Sequence, residues 1–260
     1  MSKRIWITGA SYGIGEALAV EYAAQGANVV LSARSADRLE ETRLRCERPD
    51  DHLVYPLDNL DFDRHEAAVA EVEERFGPID IMVLNAGIGQ RGAELESTLD
   101  ITRKIMDVNF TGTASLGRHI ARHMVRRKAG HIVVTSSVLG RLAIPGSASY
   151  SASKFALHGF FEGLRAELYP SNVHVTLVCP GYINTEITLH AVQGDGSKFG
   201  VIDHNHTYGM PADVCARKVV RAVKRKKAVF LVGGKETWGV YAAQYLPALT
   251  RRLTRRYSRK

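Results

Sequence analysis

Residues 8–15, Thr8-Gly9-Ala10-Ser11-Tyr12-Gly13-Ile14-Gly15, form a glycine-rich turn between a short apolar run and an amphipathic segment. The run at 4–8 predicts a buried strand, and the segment from about 13 to 26 predicts a helix. Glycines allow the backbone to turn tightly and to approach a pyrophosphate at the N-terminus of that helix. The spacing is GxxxGxG rather than the more common GxGxxG, so a glycine turn without a ligand is the alternative. The predicted cofactor-binding residues of this turn are Gly9, Ser11, Tyr12, Gly13, Ile14 and Gly15.

Apolar runs and amphipathic segments alternate along the rest of the chain. The apolar runs predict further strands at 27–32, 52–57, 79–84, 131–135, 173–178 and 228–232. The amphipathic segments predict helices at 36–47, 62–76, 98–127, 149–169 and 211–225. Strands rich in Val, Ile and Leu that alternate with helices indicate a parallel sheet covered on both faces. We therefore expect an α/β protein, a single Rossmann-type doubly wound domain with a seven-stranded parallel sheet and helices on both faces.

The longest segment without a predicted element is 181–210, which begins at Gly181 and also contains Gly194, Gly196, Gly200 and Gly209. A loop of that length in a compact domain is usually functional, so we interpret it as a substrate lid. The lid belongs to a predicted dinucleotide-binding and catalytic domain over 1–234. Residues 235–260 are predicted to form a basic C-terminal tail.

The net charge of +8 is distributed unevenly. Residues 221–260 carry twelve lysines and arginines against one acid, Glu236, whereas the other residues carry 23 against 26. The tail also contains an aromatic and aliphatic stretch at 238–249. A docking helix with a solvated basic end explains this pattern, and a peripheral contact with an anionic membrane surface is the alternative. Nucleic acid is not expected as a partner, because the tail lacks a recognisable binding module.

Composition excludes several classes of protein. With 45% apolar and 24% charged residues among 260, the chain is neither disordered nor a coiled coil. Three cysteines are too few for a disulfide framework. No apolar run reaches the roughly 20 residues of a membrane span, and the run after Arg4 is too short for a signal-peptide core. We therefore expect a cytoplasmic protein, peripheral at a membrane surface if the tail binds lipid.

The end of the second predicted strand, Leu31-Ser32-Ala33-Arg34-Ser35, carries no acid. An acid there would favour NAD, whereas Arg34 suits a 2′-phosphate and Ser35 adds a hydroxyl donor. This strand end predicts NADP(H), with a solvated surface arginine as the alternative. Asp58, at the end of the third predicted strand, is placed to accept from the adenine amino group. Asn85, Ala86 and Gly87 end the fourth strand, where small residues let the backbone pass close to the cofactor.

Tyr150 and Lys154 lie at positions i and i+4, on one face of a predicted helix. Ser137 closes the fifth strand 13 residues earlier, and Asn109 lies in the preceding helix. These residues belong to the end of the sheet where Gly13 also lies. His119 and His123 also have an i, i+4 spacing, but no third ligand is evident, so no metal site is predicted.

These motifs together resemble the short-chain dehydrogenase/reductase family, in its branch of about 250 residues. The resemblance rests on 8–15, Asn85-Ala86-Gly87, Asn109, Ser136-Ser137, Tyr150–Lys154 and Pro180-Gly181, and it covers residues 3 to about 234. It implies a catalytic tetrad of Asn109, Ser137, Tyr150 and Lys154. Tyr12 stands where many NADP-dependent members carry a basic residue, which leaves Arg34 as the main indication of the phosphate.

The resemblance also implies the role of each tetrad residue. Tyr150 gives or takes a proton as general acid/base, and Lys154 lowers the pKa of that phenol and binds the nicotinamide ribose. Ser137 holds the substrate oxygen, so Ser137 and Tyr150 are the predicted substrate-binding residues. Asn109 interrupts its helix and holds a water in a relay to Lys154. Ser136 is interpreted as structural.

The resemblance also has implications for the segment after the sixth strand and for two of the predicted helices. Pro180, Gly181, Ile183 and Thr185 are implied to contact the cofactor. The helices at 98–127 and 149–169 are implied to pair across a two-fold axis, which predicts a homodimer or homotetramer.

The lid and tail resemble an animal membrane-associated subgroup that includes an acyl/alkyl-dihydroxyacetone-phosphate reductase. This resemblance rests on Pro180–Ile183 and on 191–201. We expect an NADP(H)-dependent oxidoreductase that transfers hydride between nicotinamide and a carbonyl or secondary alcohol, with a bulky apolar or lipid-like substrate. The competing hypothesis is a non-catalytic NADP(H)-binding protein that docks on a membrane or partner through its tail.

Overall fold

Seven parallel strands form the central sheet of the computed structural model, which describes residues 2–257. The strands are β1 Arg4–Thr8, β2 Asn28–Ser32, β3 Leu53–Val54, β4 Ile81–Leu84, β5 Gly130–Thr135, β6 Val173–Pro180 and β9 Val229–Val232. Their order is β3-β2-β1-β4-β5-β6-β9, and every neighbouring pair is parallel. The predicted doubly wound α/β domain is therefore confirmed.

The helices cover both faces of this sheet. They are α1 Gly13–Ala24, α2 Ala36–Arg45, α3 His65–Phe76, α4 Leu99–Met106, α5 Gly112–Arg126, α6 Ala148–Leu168, α7 His204–Thr207, α8 Ala212–Lys224, α9 Trp238–Tyr245 and α10 Pro247–Tyr257. Alternate strand residues face opposite layers, as the two-residue strand period requires. Ile5 and Ile7 pack with Leu18 of α1 and Val219 of α8 in one core. The second core contains Trp6, Val30, Leu116, Leu157 and Phe161, under α3, α5 and α6.

The single helix predicted at 98–127 is two helices joined by a π-helical turn, Asp107–Thr111. This turn places Asn109 inside the protein, where its carboxamide bonds to the loop after β4. Segments of π-helix often occur at functional sites. The helix interruption that the resemblance implied at Asn109 is therefore present.

The predicted lid, 181–210, is more ordered than the sequence indicated. It contains β7 Ile183–Asn184, which pairs in parallel with β8 Met210–Pro211, and the short helix α7. The amide of Val192 donates to the Gly89 carbonyl, and the Arg91 amide donates to the Val192 carbonyl, each at 3.0 Å. These contacts join residues about a hundred positions apart, so a local sequence pattern does not reveal them.

The C-terminal tail forms α9 and α10 over the carboxyl ends of the strands, and residues 258–260 of the predicted tail lie outside the described range. Val240 is buried, whereas most other residues of these two helices are exposed or half-buried. The Glu236 carboxylate accepts from the amides of Tyr182, at 2.9 Å, and Gly234, at 2.8 Å. The same carboxylate packs against Gly181, where a Cβ would overlap the carboxylate. Glu236 thus fastens the tail to the loop after β6.

Among residues 2–257, no helix is both long and apolar enough to cross a membrane.

Candidate active site

The strand order reverses between β1 and β4, which is the point where doubly wound sheets bind ligands. The Thr8 hydroxyl joins the two strand ends, because its oxygen accepts from the amides of Asn85 at 3.0 Å and Ala86 at 3.2 Å. The Asn85 side chain donates to the Gly9 carbonyl at 3.2 Å. A cavity of about 440 Å³ runs from this glycine-rich loop to the C-terminal helices.

Most of the predicted site residues line this cavity. They are Gly9, Tyr12, Gly13, Ile14, Asn85, Ala86, Gly87, Ser137, Tyr150, Lys154, Pro180, Gly181, Ile183 and Thr185. The predicted site residues outside its lining are Ser11, Gly15, Arg34, Ser35, Asp58 and Asn109. The structure therefore brings one wall of the predicted site together, while the residues assigned to the adenosine end lie farther along the sheet edge.

The glycine-rich loop fits a pyrophosphate at the start of α1. Gly13 has φ +63°, a left-handed conformation that disfavours other residues, and a Cβ there would lie 3.1 Å from the Thr185 side chain. The loop after β6 thus lies directly over the first turn of α1. An exposed backbone turn at a helix N-terminus offers amide donors to an anion. These residues fit the diphosphate of a dinucleotide.

The end of β2 presents Arg34 to solvent. Within residues 2–257, no hydrogen bond or ion pair involves its side chain. The Ser35 hydroxyl caps α2, facing the Arg38 amide at 3.5 Å. The β3 strand is shorter than predicted, but Leu57 still donates to the Ala33 carbonyl at 3.0 Å. Asp58 therefore follows directly beside the end of β2, where its carboxylate accepts from the Leu60 amide.

Tyr150 lies in the first turn of α6, with its phenol beside Ser137. Burial raises the pKa of this phenol, and the hydrogen bond with Ser137 and the charge of Arg91 oppose the increase. The net direction is upward, so the phenol is protonated at neutral pH. The rise is opposite to the predicted lowering, because burial outweighs Ser137 and Arg91, and Lys154 is not among the groups that lower this pKa.

Lys154 lies one turn further along α6, buried to 4% exposure. Its Nζ donates to the Thr135 carbonyl at 2.9 Å and lies 5.7 Å from the centre of the Tyr150 ring. Burial lowers the pKa of Lys154 to about 8. The amine is therefore mostly charged at pH 7, directly behind the phenol. Ser136, predicted to be structural, donates to the Lys154 carbonyl at 3.2 Å.

Asn109 lies behind Lys154 and is completely buried. Its Oδ1 accepts from the Ile88 amide at 2.7 Å, and its Nδ2 donates to the Ile88 carbonyl and to Ser153, each at 3.0 Å. A Cβ on Gly87 would lie 3.1 Å from Asn109 Oδ1 and 3.4 Å from Lys154 Nζ. Gly87, Asn109 and Lys154 therefore converge at the end of β4.

Two residues that the sequence did not indicate position the N-terminal end of α6. Gln90 is buried, accepts from the Tyr150 amide at 3.0 Å and donates to Glu94 at 2.9 Å. The Glu94 carboxylate also accepts from the hydroxyls of Thr102, at 3.2 Å, and Ser149. Burial would raise the pKa of Glu94, but these hydrogen bonds lower it. Glu94 lies 55 residues before Ser149, and its sequence surroundings carry no signal of this contact.

The lid contacts the same wall through Arg91. Arg91 forms an ion pair with Asp203, which also accepts from His206 Nδ1 at 2.9 Å. Burial would raise the pKa of Asp203, but the hydrogen bonds from His206 and Arg91 lower it to about 2. Arg91 and His206 both line the cavity, and neither was predicted. A charged cluster thus holds the lid beside Tyr150.

Apolar side chains form much of the remaining wall. They are Val138, Leu139, Leu142, Ile144, Ile187, Ala191 and Leu253. Polar groups near Tyr150 include Ser137 and Lys154, and the far end is bounded by α9 and α10, where Thr250 and Thr254 add hydroxyls to the lining. The arrangement is suited to proton transfer at one oxygen of an otherwise apolar molecule.

Comparisons with known proteins agree with this geometry. Residues 3–195 match the sequence family described as short chain dehydrogenase. The chain is 37% identical to dehydrogenase/reductase SDR family member 7B of Mus musculus, over 98% of this chain and 80% of the mouse protein.

Solved structures superpose on nearly the whole chain. A short-chain dehydrogenase from Streptomyces avermitilis is 29% identical, with a TM-score of 0.84, over 99% of this chain and 97% of that protein. An alcohol dehydrogenase from the archaeon Thermococcus sibiricus, complexed with 5-hydroxy-NADP, is 27% identical, with a TM-score of 0.77, over 90% and 97%.

Proposed function

This chain belongs to the short-chain dehydrogenase/reductase family, and from that premise we propose that it is an NADP(H)-dependent oxidoreductase that reduces an apolar carbonyl compound to a secondary alcohol. The observation that carries the proposal is the meeting of Tyr150, Ser137 and Lys154 on one cavity wall. The same cavity begins at the glycine-rich loop. A group that moves a proton and a loop that holds a dinucleotide therefore share one space.

The residues around the cavity have complementary tasks in this proposal. The start of α1 binds the diphosphate, and the nicotinamide, when bound, supplies the hydride. Ser137 and Tyr150 bind the carbonyl oxygen by hydrogen bonding. Tyr150, whose pKa is raised, holds the proton that this oxygen receives. The positive charge of Lys154 stabilises the phenolate that remains, and Asn109 positions Lys154 and the loop after β4.

Three features support NADP(H) rather than NAD(H). The end of β2 lacks an acid, Arg34 is exposed there, and the Ser35 hydroxyl can still donate while its oxygen caps α2. The positive charge of Arg34 also acts on the phenol of Tyr12 at the edge of the cavity. A guanidinium in this position matches the geometry and charge of a 2′-phosphate.

The cavity supports a bulky apolar substrate. Leu139, Leu142, Ile144 and Leu253 surround the space beyond Tyr150, and apolar walls favour ligands of the same character. The oligomeric state is a separate question: the homodimer or homotetramer implied by the family resemblance stays a prediction.

The experiment is a panel of ketones of increasing length with NADPH and NADH, together with the corresponding secondary alcohols with NADP+ and NAD+, followed by nicotinamide absorbance. Tyr150→Phe keeps the ring but removes the acid, and should lower turnover by at least about a hundredfold while NADPH binding is retained. Tyr241→Phe, in the exposed tail, is the matched control and should leave turnover unchanged.

Near-normal turnover by Tyr150→Phe would contradict the proposed acid. A wild-type protein that binds NADPH but reduces no member of the panel would favour the competing function, a non-catalytic NADP(H)-binding protein.

A further inference from the structure

The outer surface of α9 and α10 carries a cluster of exposed large apolar side chains. We call this surface the aromatic face, and it consists of Trp238, Tyr241, Tyr245, Leu246 and Leu249. Trp238 exposes 72% of its surface. Solvent-exposed aromatic and aliphatic residues on consecutive helices mark a contact with another apolar surface.

Arginines follow the aromatic face directly. Arg251, Arg252 and Arg255 are all exposed on α10. From Thr237 to Lys260 the sequence contains six lysines and arginines and no acid. A helix pair with apolar residues beside unbalanced positive charge matches the composition of helices that lie in the surface of an anionic bilayer.

The positive charges of residues 221–227 lie elsewhere. These residues end α8 and precede β9, so they lie at the amino-terminal edge of the parallel sheet. The cavity and the aromatic face lie at the opposite edge, where the strands end. The strongly basic C-terminal region is therefore two separate clusters, and only the second one accompanies exposed aromatic residues.

The same helices bound the opening of the cavity. Thr250, Leu253 and Thr254 of α10 and Gly239 and Ala242 of α9 all line it. Leu253 lines the cavity and yet exposes 46% of its surface, so it lies where the cavity meets solvent. A surface that contacts the aromatic face is therefore adjacent to this opening.

We propose that the aromatic face docks on an anionic lipid surface, with the cavity opening beside the bilayer. Charge complementarity selects this occupant, since lipid phosphates balance Arg251, Arg252 and Arg255 while Trp238 and its neighbours enter the headgroup region. A second copy docked across a two-fold axis would instead bring two arginine clusters together. The proposal concerns binding, so its test requires no turnover and is independent of the proposed reaction.

The first measurement is co-sedimentation of the full chain with phosphatidylglycerol/phosphatidylcholine vesicles and with pure phosphatidylcholine vesicles. Arg251→Gln/Arg252→Gln/Arg255→Gln removes three charges beside the aromatic face. Arg221→Gln/Lys224→Gln/Arg225→Gln removes three exposed charges at the opposite edge and is the matched control.

The first variant should lose about a hundredfold in affinity for the anionic vesicles, because each basic residue near such a surface contributes about 1 kcal/mol. The control variant should stay within about threefold of the wild type. Equal losses in the two variants, or equal binding to the two kinds of vesicle, would overturn the proposal.

The second measurement uses tryptophan fluorescence, because the chain has two tryptophans in opposite surroundings. Trp6 is completely buried in the sheet, so a change of emission on vesicle binding reports Trp238. We expect a blue shift and quenching by brominated lipid, both absent in Trp238→Phe. Sedimentation without any change of Trp238 emission would place the contact elsewhere and overturn the proposal.

Size-exclusion chromatography with light scattering tests the other occupant. If the variant Arg251→Gln/Arg252→Gln/Arg255→Gln has a changed oligomeric state but unchanged vesicle binding, the aromatic face binds a second copy and the proposal is wrong. Unchanged oligomeric state together with lost vesicle binding supports the lipid surface. Circular dichroism melting of all variants shows that each remains folded.

Discussion

Lys154, on the inner wall of the cavity, and Asn109, behind that wall, are buried, and their side chains bond to the backbone at and just after neighbouring strand ends. Trp238 and Tyr245, beyond its opposite wall, are mostly exposed. The inner wall rests on the sheet, so its geometry is determined by many strands at once. The helices of the opposite wall have one buried residue, Val240, among those described, and an attachment through Glu236. We infer that proton transfer depends on the inner wall, while the choice and position of the substrate depend on the opposite wall, formed by α9 and α10.

Three pairs of substitutions test this difference, and each pair combines a change at a residue supported by the sheet with a similar change in the tail. The largest effect is expected at Asn109. Asn109→Ala removes three hydrogen bonds of about 1 kcal/mol each and should lower the free energy of unfolding by about 3 kcal/mol. Gln244→Ala, in the exposed tail, should change it by less than about 0.5 kcal/mol. Urea unfolding followed by circular dichroism measures both, and similar losses would contradict the comparison.

The second pair concerns the cofactor. If Arg34 pairs with a 2′-phosphate, Arg34→Ala should weaken NADPH binding by about 1.5–3 kcal/mol, the range for charge-assisted hydrogen bonds. NADH binding should change little. Arg252→Ala removes the same charge from the tail and should leave the affinity for either cofactor unchanged. Titration calorimetry measures all four affinities, and equal weakening of NADPH and NADH by Arg34→Ala would show that Arg34 does not read the phosphate.

The third pair concerns a buried charge. The pKa of Lys154 falls from 10.5 to about 8, which corresponds to roughly 3 kcal/mol lost by burying the ammonium. Lys154→Met should therefore raise the free energy of unfolding at pH 7 by about 1–2 kcal/mol, after allowing for the lost bond to Thr135. Lys235→Met, in the exposed tail, should have no such effect.

The pH dependence of that gain has a definite sign. Between pH 8 and 10.5 the unfolded chain keeps a lysine proton that the folded protein releases, so wild-type stability rises with pH. The advantage of Lys154→Met is complete below pH 8 and should shrink as pH rises through that value. Denaturant unfolding without cofactor at pH 7 and pH 9.5 measures it, and an advantage that stays constant would show that the buried ammonium is not its cause.

Sequence patterns predicted the sheet and the cavity wall because each depends on local or periodic features. The Val and Ile runs of β1, β2 and β5 identified the strands, and the i, i+4 spacing placed Tyr150 and Lys154 on one helix face. The length of β3 was overestimated. Beyond Val54 only single backbone hydrogen bonds remain, from Tyr55 to Leu31 of β2 and from Leu57 to Ala33, which follows β2.

Other features were not predictable because they depend on contacts between distant residues. Gln90 and Glu94 acquire their role only where their loop meets α6. The order of the lid depends on Val192 pairing with Gly89 and Arg91. The direction of the Tyr150 pKa shift depends on total burial, which one helical spacing does not reveal.

The Glu236 carboxylate connects the C-terminal tail to the loop after β6. It bonds to the amide of Tyr182, in the loop that also carries Ile183 and Thr185, and it begins the segment that continues into α9. By thermodynamic reciprocity, the factor by which a ligand on the tail changes the affinity for cofactor equals the factor by which cofactor changes the affinity for that ligand. Glu236→Ala removes the bonds to the amides of Tyr182 and Gly234 and should bring that factor closer to one.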